Sequence, residues 1–175
     1  TLFRSDAALG LKGTPGFWGA GWKNRRIDLR NWFAGYNSAK MLQRARFYVK
    51  ESLVNGLYAD SLATMARLHK AFGSLESAAT YESMAAHVTE SMLEKMLDRA
   101  NGGFMSLVGR NERRVEPLTI GAIVPLVMPG IPQDIADEII DRHIMRRDKF
   151  WLRYPIPSVA ATEPSFNPRE AKLIW

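Results

Sequence analysis

Two long segments with helical patterning meet at a single glycine, and that junction limits the folds open to this chain more than any other feature. In "ESLVNGLYADSLATMARLHKAFG", Leu53, Leu57, Ser61, Met65, Leu68 and Phe72 recur at helical spacing, with Tyr58, Leu62 and His69 beside them. Gly73 stands where a left-handed C-terminal cap belongs, and Ser74 can cap a following helix. In that second helix Ala78, Tyr81, Ala85, Val88, Met92 and Met96 share one face. Helices joined by so short a link must turn back antiparallel.

The rest of the chain alternates helical segments with Gly, Pro and aromatic loops. Asn101, Gly102 and Gly103 in "DRANGGFMSL" predict a short hairpin or irregular excursion. "LTIGAIVPLV" is apolar all round and predicts a buried helix. "PGIP" then breaks the chain. Pro132 fits the first turn of a further helix, with Asp134 near its positive end and Ile135, Ile139 and Ile140 facing inward. His143, Arg146 and Arg147 fall near its negative end. Upstream, Gly10, Gly13, Gly16, Gly19 and Gly21 with Pro15 argue against a regular element over residues 6–32. From Phe33 to about Lys50 the pattern is weakly helical. Residues 1–5, "TLFRS", coincide with what one frame of a common sequencing-adapter end encodes; they are read as a scar, leaving 6–175 as a single partial domain.

A chain of 175 residues can bury one good-sized core, and 46% hydrophobic content with five Trp argues for a folded body. The absence of cysteine excludes disulfides and thiolate-bound zinc, and favours a reducing, cytoplasmic setting. His69, His87 and His143 are far apart in sequence and show no ligand spacing, so structural or surface roles are expected, with no metal and no cofactor. No apolar run reaches the roughly 18 residues of a membrane span, so no membrane partner is expected. The net charge of +6 is unevenly placed. Residues 1–50 hold ten Lys and Arg against Asp6 and Asp28, whereas residues 51–175 hold fourteen against sixteen Asp and Glu. Such a basic third can mark a nucleic-acid face or a piece whose acidic partners lie elsewhere. The basic residues form no dense run, and no nucleic acid is expected.

The pattern as a whole is all-α: antiparallel helix pairs joined by long loops, which fits an incomplete (α/α)6 toroid or an α-solenoid. Solenoid connections are short and alike. Here they are long, dissimilar and rich in Trp, Tyr and Pro, as site-building loops are. Aromatic walls suit sugar rings, whose C–H faces pack on aromatic planes while their hydroxyls need polar edges.

One loop carries a more specific signal. "FWLRYPIPSVAATEPSFNP" contains Phe150, Trp151, Tyr154, Pro155, Pro157, Ser158, Val159, Ala160, Glu163, Pro164, Phe166 and Pro168. With "LVNGLYADSLATMARLHKAFG" before it and Trp175 after it, this resembles the catalytic (α/α)6 barrel of glycoside hydrolase family 63, in the bacterial branch related to mannosylglycerate and glucosylglycerate hydrolases. The resemblance covers roughly residues 48–175. Trp175 matches the first letter of the W-R-G-P-x-W motif whose tryptophans line the sugar pocket.

The resemblance implies inverting hydrolysis of an α-glucosidic or α-mannosidic bond, with a carbohydrate as partner. Inversion needs one carboxylic acid and one carboxylate roughly 6.5–9.5 Å apart, so that water fits between. In the family the base is a Glu downstream of W-R-G-P-x-W, and the acid is an Asp in an upstream W-E-S-G-x-D-N-S-P string. "WGAGWKNRR" is the nearest match here: Trp18, Gly21 and Asn24 fit, and Lys23 occupies the acid position. An unperturbed lysine, with a pKa near 10.4, is a poor proton donor at neutral pH. Asp28, near a later family aspartate, is the substitute candidate. Three alternatives stay open: a different alignment of residues 6–47, another acid, or a non-hydrolytic relative. The residues expected to meet substrate are Trp18, Lys23, Asn24, Tyr154, Ser158 and Trp175. Asp60 is expected to serve a helix face, and Glu163 to fix its loop.

The competing reading is an α-helical interaction module with a basic N-terminal face. The enzyme reading expects Trp18, Tyr154, Ser158 and Trp175 to converge; the module expects the Lys and Arg of residues 12–50 to form one exposed stripe. Helices of an incomplete toroid leave apolar faces exposed. The isolated chain is therefore expected to be marginally stable or to aggregate. Differential scanning calorimetry with sedimentation checks this, and a cooperative monomeric transition at high temperature counts against the fragment reading.

Overall fold

A small-residue seam, not a large apolar stripe, joins the central helices. The computed structural model describes residues 17–37, 39–40, 49–109, 111–115 and 117–166, with the side chains of residues 17–24 left out. The "TLFRS" segment and Trp175 lie outside the described residues. The described residues are largely helical with few strands. It divides into two compact units, Thr1–Lys50 with Leu107–Val115, and Glu51–Ser106 with Glu116–Trp175.

In the first unit, α1 spans Phe17–Phe33. This corrects the expectation that residues 6–32 hold no regular element and that helical pattern begins at Phe33. Gly19 and Gly21 lower helix propensity by about 1 kcal/mol each but do not forbid a helix. Proline does forbid an interior position, and Pro15 precedes the element. The helix ends in a Schellman turn: Gly35 has φ +62°, its N–H donates to the Trp32 carbonyl at 2.8 Å, and the Tyr36 N–H reaches the Asn31 carbonyl at 2.8 Å. Short strands β1 (Val49–Lys50), β4 (Leu107–Val108) and β5 (Arg113–Arg114) pair antiparallel in the order β1-β4-β5. Val49 stands opposite Val108, and Leu107 opposite Arg114. Lys50 and Glu112 form an ion pair there.

In the second unit, α2 (Ser52–Ala71) and α3 (Leu75–Lys95) form the expected helical hairpin. Its turn is again a Schellman motif: Gly73 has φ +78°, its N–H donates to the Lys70 carbonyl at 3.1 Å, and the Ser74 N–H donates to the His69 carbonyl at 2.8 Å. Ser74 occupies the N-cap of α3, but its side chain makes no capping bond. The expected face of α3 is largely the buried one, with Ala78, Ala85, Thr89 and Met92 inside.

The face of α2 is a correction. Ser52, Gly56, Ala59, Leu62 and Ala66 are buried, whereas Leu57, Met65, Leu68 and Phe72 are exposed, Phe72 at 86%. Both sets recur at helical spacing, and small residues allow the closer approach. A Cβ added at Gly56 would sit 3.0 Å from the Pro125 backbone, and one added at Gly121 would sit 3.0 Å from Ser52 Oγ. The first amide of α2 is satisfied from afar: the Ser52 N–H donates to Ser106 Oγ at 3.0 Å.

The hairpin β2 (Leu97–Asp98) with β3 (Gly103–Phe104) follows α3, as Asn-Gly-Gly predicts. Asp98 organises its turn, accepting from the Ala100 N–H at 3.0 Å and the Asn101 side-chain amide at 2.8 Å. The apolar "LTIGAIVPLV" stretch is buried in part but is not an α-helix. It forms two 3-10 turns, Ile120–Ala122 and Val124–Val127. The Thr119 hydroxyl accepts from the Gly121 N–H at 3.2 Å, and Pro125 supplies no donor, so both divert the backbone from regular i-to-i−4 bonding. Helix α4 (Gln133–Ile139) starts one residue later than expected, with Pro132 at its N-cap and not in its first turn, buries Ile135 and Ile139, and runs into a π-helical turn, Ile140–Ile144. Phe104, Phe150, Ile139, Pro125 and Ser52 are the largest fully buried side chains.

Gly56→Val tests the close approach of α2 to Pro125. Urea unfolding should show a loss of about 1–3 kcal/mol from overpacking, although valine exceeds glycine in helix propensity.

Candidate functional site

The proline-aromatic loop is fixed at its two ends and exposed in the middle. Phe150 and Ala160 are both fully buried. Between them Trp151, Arg153, Tyr154, Pro155, Ile156 and Ser158 are exposed, Tyr154 at 79%. The spacing of Pro155 and Pro157 excludes helix here and removes two backbone donors.

Backbone and side-chain hydrogen bonds sew the far end of the loop onto residues 118–120. Thr119 and Val159 pair antiparallel. The Ala160 N–H donates to the Leu118 carbonyl at 2.9 Å, and the Ile120 N–H donates to the Ser158 carbonyl at 3.0 Å. Glu163 closes the seam, its Oε1 accepting from the Leu118 N–H at 3.0 Å. This is the loop-fixing role expected of Glu163. At the near end, the Trp151 N–H donates to the Arg146 carbonyl at 2.9 Å, and the Ala161 N–H donates to the Lys149 carbonyl at 3.0 Å, tying the two ends together. Arg146 and Asp148 form an ion pair at 2.9 Å, and the hydrogen bond from Arg146 holds the Asp148 carboxyl below the usual carboxylate range.

Tyr154 and Ser158 therefore share one anchored loop. The Arg153 guanidinium lies 5.7 Å from the centre of the Tyr154 ring, within cation–π reach. Trp151, at 43% exposure, adds a second accessible aromatic that the sequence reading placed in the motif but not among the contact residues.

The remaining expected residues belong to other segments of the chain. Trp18, Lys23 and Asn24 fall on α1, in the first unit, and their side chains are outside the description. Asp28 is exposed on the same helix, and its Oδ1 accepts from the Tyr36 hydroxyl at 2.9 Å. That bond holds the Tyr36 phenol above the ordinary tyrosine range. Asp60 is half-buried on α2, and Glu51 precedes that helix, exposed. His69 stacks on Tyr81 with ring centres 5.2 Å apart, and His87 is exposed.

A cavity of about 440 Å³ lies between α2, α3 and the Pro129–Gly130 turn, lined among others by Ala63, Arg67, Ala85, Thr89 and Pro129. Neither Tyr154 nor Ser158 lines it. The Thr89 hydroxyl is buried without a hydrogen-bond partner among the described residues. No spacing in the sequence marks this cavity, because it depends on alanines leaving space. Among the described residues no three His, Asp or Glu side chains gather as metal ligands do. No helix among them is long and apolar enough to cross a membrane.

Comparison with known proteins bears on this arrangement. Residues 16–175 match the family model described as the mannosylglycerate hydrolase MGH1-like glycoside hydrolase domain. No curated protein sequence matches the chain. Among solved structures, the GH63 mannosylglycerate hydrolase of Thermus thermophilus in complex with Tris superposes with a TM-score of 0.70 at 19% identity, covering 81% of this chain and 33% of that one. The same enzyme in complex with glucose gives 0.68 at 18% identity, covering 80% and 32%. Neutral trehalase Nth1 of Saccharomyces cerevisiae gives 0.52 at 16%, covering 59% and 20%. At such identities the likeness is one of fold. The chain spans about a third of the length of the hydrolase structures it matches.

Glu163→Ala should free the Leu118 N–H and loosen the seam. Exchange of the Leu118 and Ala160 amides should quicken by about tenfold, and stability should fall by about 1–3 kcal/mol, whereas Ser165→Ala, two residues along, should leave both unchanged.

Proposed function

The chain belongs to the mannosylglycerate hydrolase MGH1-like glycoside hydrolase family, and on that premise we propose that it is the part of a glycosidase that recognises the sugar. The parent protein hydrolyses an α-glucosidic or α-mannosidic bond in a small glycoside or oligosaccharide, with inversion at the anomeric carbon. The observation that carries this reading is the loop of residues 150–163, whose buried ends hold Tyr154 and Ser158 out in an accessible, pre-ordered position.

The chemistry follows from what each group can do. Tyr154 offers a flat apolar face for sugar C–H groups and a phenol at its edge. Ser158 offers a hydroxyl that donates and accepts, while its carbonyl is already engaged by Ile120. Trp18, Lys23, Asn24 and Trp175 are the further sugar contacts proposed on this reading. Lys23 serves there as a cationic donor to sugar hydroxyls and not as the acid. Glu163 is committed to the Leu118 amide. The two carboxyls of an inverting pair must face each other across the bond at roughly 6.5–9.5 Å, so this loop does not supply the pair. Asp28 is the candidate acid within the chain. The cysteine-free sequence fits a cytoplasmic setting.

The test is made on the complete polypeptide with α-linked glucosides and mannosides, following the released sugar by proton NMR. Inversion shows as the β-anomer appearing first. Tyr154→Ala should raise KM about tenfold with little change in kcat, as loss of uniform binding does. Asp28→Asn should lower kcat by about a hundredfold or more if Asp28 is the general acid; an unchanged kcat removes it from the mechanism. Release of no sugar from any α-linked glycoside sinks the hydrolase reading.

A further inference from the structure

The π-helical turn Ile140–Ile144 buries a titratable group that the proposed chemistry does not use. His143 is 2% exposed. Its Nε2 lies 2.8 Å from the Asn101 carbonyl oxygen. A carbonyl only accepts, so Nε2 carries the proton. Its Nδ1 lies 3.2 Å from Lys149 Nζ. An ammonium only donates, so Nδ1 accepts, and the ring is neutral. The same ammonium donates to the Arg142 carbonyl at 2.8 Å. The Lys149 carbonyl in turn accepts the Ala161 N–H at 3.0 Å. A connected path thus runs from the tip of the β2–β3 hairpin, through the imidazole, to Lys149, which precedes the Tyr154–Ser158 loop, and from its carbonyl to Ala161 at the far end.

We propose that His143 and Lys149 form a proton-sensitive positioning latch, which holds the Tyr154–Ser158 loop in place at neutral pH and loosens it in mild acid. The inference rests on the reading that this loop meets the sugar, and it names a regulation of that site.

Protonation of Nδ1 removes the acceptor and sets an imidazolium against an ammonium 3.2 Å away. The surroundings offer that charge little help. Arg142, on the same turn, is a second cation and is paired with Glu138 of α4 at 3.1 Å. From the hairpin, Asp98 is turned to the Ala100 and Asn101 amides, and Gly103, where an added Cβ would lie 3.6 Å from Nε2, brings no side chain. Ala122, from the 3-10 turn behind Gly103, carries no charge. Beyond Lys149, Asp148 is paired with Arg146. Burial is the main cause that holds His143 below the ordinary histidine range, with Lys149 and Arg142 adding to it; the carbonyls of Asn101 and Gly102 oppose it. With the folded value depressed, the latch contributes fully above the unfolded value of about 6.5. Its contribution is lost as pH falls through that value toward the folded one.

The test is amide exchange of Ala161 and Trp151 in the full chain between pH 7.5 and 5, corrected for intrinsic rates, with far-UV circular dichroism to confirm that the helices persist. Wild type should lose about tenfold in protection at both amides as His143 protonates, its ring followed by NMR. His143→Gln, which keeps a donor and an acceptor but no titration, should hold one level of protection across the range. If that variant fails to fold, Lys149→Met should show the low, acid-like level already at pH 7.5. Wild-type protection that does not change as the ring titrates, or full protection in Lys149→Met, overturns the latch. Glycoside affinity over the same range separates the two ideas: if the loop loosens and affinity stays constant, the latch stands and the loop's sugar-binding role falls.

Discussion

The close approach of α2 to its neighbours is the constraint on which the second unit depends. Ala59 and Ala66 of α2 and Ala78 and Ala85 of α3 are all buried to within 2% exposure, so small side chains hold several of the buried positions of both helices and leave room for close approach. Gly56 continues that closeness to Pro125, and Gly121 returns it to Ser52. Dispersion falls off steeply with separation, so backbones in near contact gain from many atom pairs that bulkier side chains would hold apart. The gain comes with little tolerance, because each small residue is small for a neighbour's sake. The 3-10 turns at Ile120–Ala122 and Val124–Val127 are part of this arrangement, since they lay Gly121 and Pro125 against the first two turns of α2.

That seam explains which parts of the fold were legible in the sequence. The helices α2 and α3, the Gly73 turn, the Asn-Gly-Gly hairpin and a helix beginning beside Pro132 follow from local rules of spacing, caps and breakers, and the structure has them. The face of α2 does not follow from local rules. Leu57, Met65, Leu68 and Phe72 give as good a helical period as Gly56, Ala59, Leu62 and Ala66, and hydrophobicity alone ranks the larger set as the inner one. What decides is the size of the partner, and the partner is Pro125, nearly seventy residues on in sequence. The Ser52–Ser106 bond was hidden for the same reason, its partners lying 54 residues apart. α1 was missed differently: five glycines and Pro15 were weighed together as breakers, yet only Gly19 and Gly21 fall within the helix, and Pro15 precedes it.

The exposed set on α2 also has a meaning. Val54, Leu57, Tyr58, Leu68 and Phe72 leave large apolar surface on one helix in a chain that spans about a third of its structural relatives. Scattered apolar residues are ordinary on a protein surface, but a run along one helix is not. Along α2 it is apolar surface open to solvent in the described residues.

The candidate site was legible to the degree that it is local. The loop motif is contiguous, so its aromatic and proline spacing could be read directly, and Glu163 could be assigned to fixing the loop because an acid beside Pro164 has few other local duties. Its partner, the Leu118 amide, could not be read, being 45 residues away. His143 escaped for a further reason. It looks like one more basic residue at a helix C-terminus, and only the π-helical turn carries it inside against Asn101 and Lys149. An exposed loop that must meet a ligand without first being ordered gains from such fixed ends, since each side chain left to be immobilised on binding costs about 0.5–1.5 kcal/mol. Phe150, Ala160, Glu163 and the Lys149–His143 pair all act on the ends of the loop and none on its tip. On the proposed reading that division is what lets Tyr154 remain 79% exposed and still be held for a sugar.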